Sequence, residues 1–159
     1  MKTKKKSDYI KLNDWPPDHA RKAYENEYYV EAIQVIHNFL EAALQDFFMV
    51  SRHGNIRGRL KYKWDAALEM SFINVSRALL VTGKIDKKTF DRLSQFNSLR
   101  NKLIHRLFFE YYEKQYRGIP RKEYDRVYRM GLKLCGYVEG KRAILSTRGK
   151  PRGSSQHGA

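Results

Sequence analysis

Apolar residues recur at steps of three and four along most of this chain, and no stretch alternates apolar with polar residues as a half-buried strand would. That period commits the sequence to helices. The series Tyr29, Ile33, Ile36, Leu40, Ala43, Phe47, Val50 predicts a first helix from about Pro17 to Ser51, opened by Asp14 and Pro16-Pro17 and closed before Gly54. A second face of Tyr28, Ala32, Val35, Phe39 and Ala42 is also largely apolar, so this helix needs neighbours on two sides. Trp64, Leu68, Phe72, Val75 and Leu79 mark a second helix that stops at Gly83. Asp86 suits the N-cap of a third, which runs through Leu93, Phe96, Leu99, Leu103 and Leu107 to about Tyr112. Pro120 fits the first turn of a fourth, with Tyr124, Val127, Gly131, Leu134 and Val138. The expected fold is all-α, an up-and-down bundle of about four to five helices. Its boundaries are a basic N-terminal extension at 1–13, a helical domain at 14–145 and a flexible basic tail at 146–159.

A chain of 159 residues buries enough surface for one domain without disulfides. The single cysteine, Cys135, lies beside Leu134 and near Val138 and reads as a buried thiol in a reducing compartment. No segment reaches the ~18 consecutive apolar residues of a membrane span, and the Lys-rich start lacks the apolar run of a signal peptide. The expectation is a soluble, cytoplasmic protein with no membrane role.

Net charge is +15, and its placement is more informative than its size. Lys2, Lys4, Lys5 and Lys6 open the chain; Arg52, Arg57, Arg59, Lys61 and Lys63 cluster around two glycines; Lys141, Arg142, Arg148, Lys150 and Arg152 close it. No acid interrupts these segments, which are expected to lie outside the helices as a footprint for polyphosphate, with nucleic acid the leading partner. The cluster at 52–63 reads as a mobile cationic loop that holds nucleic acid.

On the third helix, residues placed at 100° intervals put Leu93, Phe96, Leu99, Leu103 and Leu107 on one core stripe. Asn101 and His105 fall on the opposite face, one turn apart, with Ser94, Phe108 and Tyr112 nearby. The aromatic rings on that face call for a covering surface, which a symmetric homodimer would supply. Arg100 starts beside the core stripe, and its stem is expected to lie along apolar surface with the guanidinium reaching outward. These three side chains suit phosphodiester chemistry. An imidazole can take a ribose 2′-hydroxyl proton or protonate a leaving oxygen near neutral pH. A guanidinium offers a charged fork to a phosphoryl oxygen, and an amide can orient either group. The set calls for no metal and no cofactor. His19, His37, His53 and His157 are scattered and read as structural.

The run Phe96-Asn97-Ser98-Leu99-Arg100-Asn101-Lys102-Leu103-Ile104-His105-Arg106 resembles the signature of the HEPN superfamily, an arginine, usually followed by asparagine, with a histidine four to six residues on. The resemblance implies a compact helical domain, usually a homodimer with both motifs on one cleft, and metal-independent endoribonuclease activity in toxin–antitoxin, antiviral or RNA-processing settings. By position it makes Arg100 and His105 the catalytic pair and Asn101 their support; Arg106 is a phosphate-contact candidate. In the toxins paired with a nucleotidyltransferase antitoxin, a tyrosine two residues after the histidine is the modification site. Here that position is Leu107, on the core stripe, so such a partner is not implied. Two other readings remain open: a non-catalytic nucleic-acid-binding module, and a protein–protein adaptor whose polar helix face is a dimer seam.

Overall fold

The computed structural model describes residues 12–51, 65–109 and 118–148, and these are helical, with no strand among them. Helix α1 spans Pro16–Glu25, α2 Tyr29–Ser51, α3 Phe72–Val81, α4 Lys87–Phe109 and α5 Arg121–Arg148. A further helical turn covers 65–68. The N-terminal lysines, Gly54, Trp64, Tyr112 and the chain beyond 148 lie outside the described residues.

The expected single helix from Pro17 to Ser51 is two helices. Asn26 ends α1, Glu27 takes φ of 66°, and the amides of Glu27 and Tyr28 donate back to Tyr24 O and Ala23 O. This paired reversal closes a helix through a left-handed residue, a position that glycine usually fills. With glutamate there, the sequence carries no stop signal. The chain then folds α1 back along α2, where Trp15 meets Phe39 edge-on at 5.1 Å and His19 meets Glu31 at 2.9 Å.

The expected helix from Trp64 to Leu79 is also interrupted, at 69–71. Gln45 Nε2 donates to Met70 O at 2.8 Å, and the Phe72 amide donates to the Glu41 carboxylate. Side chains of α2 therefore satisfy backbone groups that a continuous helix would have paired internally. Leu68, assigned to the apolar series, is 62% exposed. The stop at Gly83 and the cap at Asp86 are as expected: Gly83 has φ of 66°, and the Thr89 amide donates to Asp86 Oδ1 at 2.7 Å.

Helix α5 runs on through Arg148, past the tail boundary suggested at 146. Lys141 and Arg142 are helical rather than tail cations, and Arg142 is paired with Asp46 of α2. No helix among the described residues is long and apolar enough to cross a membrane.

Helix α2 is the spine. Ile33, Ile36, Leu40 and Leu44 are fully buried, each contributing about 1.5–3 kcal/mol by removal from water. Contacts between Tyr29 and Tyr124, Ile36 and Gly131, and Asp46 and Arg142 show α5 running parallel to α2. Helix α4 runs antiparallel to α5, with Phe96 at Gly131 and Arg106 at Glu123. Its Leu93, Phe96 and Leu103 are buried, Leu99 and Leu107 half-buried against the core, and this seats the stripe read from the sequence.

Candidate functional site

With that stripe turned inward, Asn101 and His105 stand on the outer face of α4 as their angles require. They line an open groove of about 490 Å³ with Ser94, Asn97, Ser98, Lys102 and Arg106, and Ile73 of α3 forms its edge. His105 is exposed and Asn101 half-buried. Arg106 lies in the groove and donates to Glu123 Oε2 at 3.0 Å, so this phosphate-contact candidate already has a carboxylate partner.

Arg100 differs from the expectation. Its guanidinium does not reach outward: Nη1 donates to Asn101 Oδ1 at 2.7 Å, and Nη2 donates to Gln34 Oε1 of α2. Gln34, one turn before His37 on α2, draws the fork inward. Burial lowers the guanidinium pKa, and nearby Glu41 opposes the shift. Its Nε–H is buried without an acceptor.

Because arginine only donates, this contact fixes the polarity of a chain of amides. Gln34 must present its oxygen to Arg100, so its Nε2 donates to Asn38 Oδ1 at 3.0 Å. His37 Nδ1 stands 3.5 Å from that same oxygen, and its Nε2 stands 3.1 Å from Asn97 Oδ1. His37 is buried and stacked on Phe72 at 5.0 Å, in keeping with the structural role read for it. At the other end, Asn101 gives its oxygen to Arg100, which leaves its amide N–H groups for the groove. Arg100 thus joins Asn101 directly, while His105 shares the groove with Asn101 from the next turn.

The outer face of α4 offers donors in the form of the Asn101 amide, the Lys102 ammonium and the Arg106 guanidinium, beside the imidazole of His105. Such a set grips an anionic oxygen and serves acid–base chemistry next to it. No group of three or more His, Cys, Asp or Glu is placed to hold a metal ion among the described residues.

Arg52, Arg57, Arg59, Lys61 and Lys63, expected to hold nucleic acid, lie outside the described residues, as do Tyr111 and Tyr112. The sequence reading missed the partners Gln34, Asn38 and Asn97. Gln34, Asn38 and Glu41 follow one another at steps of four and three, a polar line on α2 between its two apolar faces. Comparison with family models, with curated proteins and with solved structures returned no match to this chain.

Proposed function

We propose that this chain is a HEPN-like, metal-independent endoribonuclease that cleaves single-stranded or loop RNA as a homodimer. The observation that supports the reading most is the shared groove, in which His105 and Asn101 stand beside Lys102 and Arg106, with Arg100 bonded to Asn101. In the proposed reaction the ribose 2′-oxygen attacks the adjacent phosphorus and the 5′-oxygen leaves. The 2′-hydroxyl proton passes to a base, and the leaving oxygen receives one from an acid. His105 is placed for either task, and two copies facing one cleft across a two-fold axis would supply both. Asn101 N–H groups and Lys102 hold the phosphoryl oxygens. Arg100 orients Asn101 and adds positive charge behind it.

A second reading, an RNA-binding module that breaks no bond, is favoured by the Arg100 fork, already engaged with Gln34 and Asn101. One experiment separates the two. Labelled mixed-sequence RNA is incubated in EDTA with the parent protein and with an Arg100→Ala/His105→Ala variant. The enzyme reading expects products ending in 2′,3′-cyclic phosphate from the parent alone, and His105→Ala by itself should abolish cleavage while RNA affinity stays within a few fold. Tight binding by the parent with no cleavage of any RNA in the pool would replace the enzyme by the module.

A further inference from the structure

A larger concavity lies away from the motif groove, between α4 and α5, and nothing in the sequence reading pointed to it. It encloses about 580 Å³ and is lined by Arg92 and Gln95 of α4 and by Arg126, Arg129, Lys133 and Tyr137 of α5. No carboxylate lines it. Arg92, Arg126 and Lys133 form no ion pair among the described residues, and Arg129 uses only Nε, on the backbone oxygen of Asp125. Several cations facing one cleft without acids repel one another and are retained at a cost in stability, which an anion bound there would offset.

The cations are arranged in rows rather than as a knot. On α4, the cations Arg92, Lys102 and Arg106, with the Gln95 amide between the first two, fall on one side of the helix at steps of three, seven and four, so the row begins in this cavity and ends in the motif groove, where Arg106 is paired with Glu123. At 1.5 Å per residue it is about 21 Å long. On α5, Lys122, Arg126, Arg129 and Lys133 run alongside at steps of four, three and four, antiparallel to it. A single small anion would need a compact cluster. Two parallel rows suit a linear polyanion, and about 21 Å accommodates roughly four nucleotides, the lower end of single-strand site sizes. Tyr137 lines the cleft beside the cations; Lys141 Nζ stands over one side of its ring, 5.6 Å from the centroid, which leaves the other side as the face for a base.

We propose that the α4–α5 cleft is a second nucleic-acid subsite that takes single-stranded RNA continuing from the motif groove, with phosphates on Arg92, Arg126, Arg129 and Lys133 and a base on Tyr137. The inference rests on the reading of this chain as one that handles RNA, but not on cleavage. Its test therefore uses a strand that cannot be cleaved by its own 2′-oxygen, a fluorescein-labelled 12-mer oligouridylate with 2′-O-methyl riboses. Binding is followed by anisotropy across a salt series. Arg126→Ala/Lys133→Ala is compared with Arg21→Ala/Lys22→Ala, which removes the same charge from α1, and circular dichroism verifies that each variant is folded. The cleft variant should bind about tenfold more weakly at 0.1 M salt, with a log–log salt slope smaller by about 1.4, while the α1 variant stays within about twofold. Binding by the cleft variant within twofold of the parent, or an equal loss in the α1 variant, overturns the proposal. So does displacement of the strand by millimolar adenosine monophosphate, which would assign the cleft to free nucleotides. A parent that binds this strand through the cleft yet cleaves no RNA refutes the nuclease alone; a parent that cleaves the mixed-sequence RNA but does not bind this strand refutes the second subsite alone.

Discussion

Gly131 offers the sharpest test of how the helices are seated. A methyl group built on it would stand 2.5 Å from Ile36 Cγ2 and 2.8 Å from Phe96 Cε2, where carbon atoms prefer about 3.5–4.0 Å. Neither neighbour has room to retreat, since both are fully buried, on α2 and α4 respectively. Gly131→Ala therefore forces α5 away from two helices at once. Overpacking of this kind costs about 1–3 kcal/mol, and two overlaps on rigid neighbours belong in the upper half of that range. Alanine returns about 1 kcal/mol of helix propensity, which leaves a net loss of about 1–2 kcal/mol. Gly136, on the same helix, has nothing within 4 Å of the equivalent position, so Gly136→Ala should gain about 0.5–1 kcal/mol. The two substitutions are chemically identical and opposite in sign. At about 2–4 °C per kcal/mol for a chain of 159 residues, their melting temperatures should differ by roughly 3–12 °C in far-ultraviolet circular dichroism. A Gly131→Ala protein as stable as the parent would show that α5 does not pack on Ile36 and Phe96 at this distance.

Two further tests read ionisable groups. Burial pushes the Cys135 thiol from its ordinary 9.0 up to about 12, with Glu139 adding to the shift, so a disulfide reagent at pH 8 should label the native protein only as fast as it unfolds and label one thiol at once in denaturant. Rapid stoichiometric labelling without denaturant would contradict the buried placement. The raised value also means that the native state keeps a proton that the unfolded state releases above 9.0, so stability should fall as pH rises from there. The Thr89 hydroxyl and amide hold the Asp86 carboxyl below its ordinary 3.8, so its contribution is present above 3.8 and lost as pH falls through the lower native value. Asp86→Ala should lower the melting temperature at pH 7, with the gap to the parent closing in acid; a gap unchanged in acid would refute the capping role.

What the sequence disclosed and what it hid divide by the range of the interaction responsible. Local signals held: the three-and-four period, the Asp86 cap, the Gly83 stop and the inward turn of Leu93, Phe96 and Leu103. The breaks at 26–28 and 69–71 were missed for different reasons. Glu27 adopts a conformation that its identity does not advertise, and the second break is held by Glu41 and Gln45 from another helix. The site follows the same division. The outward placement of Asn101 and His105 is a property of α4 alone and was readable from angle. Arg100 has two sides open to it, and Gln34, sixty-six positions earlier in the chain, decides which one it takes. Attention to cations outside the helices likewise passed over the row Lys122, Arg126, Arg129, Lys133, which a count at helical spacing reveals.

These observations converge on α4, which packs against α2, α3 and α5 and so has each of its sides assigned. Its inner stripe fixes the depth of the helix through Phe96, which touches both Phe72 of α3 and the Gly131 backbone of α5. One flank ties Arg100 to the amide chain of α2, which spends the guanidinium on orienting Asn101. The other flank carries Arg92, Lys102 and Arg106 beside the cations of α5. A polyanion approaching the exposed face meets donors from Asn101 and Lys102 first and the cations Arg92, Arg126 and Lys133 along the α5 side next, while Arg106 is paired with Glu123 and the α2 side offers a guanidinium that is already engaged. The charge asymmetry of α4, with cations facing α5 and an engaged guanidinium facing α2, therefore follows from Gln34 holding Arg100 on that flank.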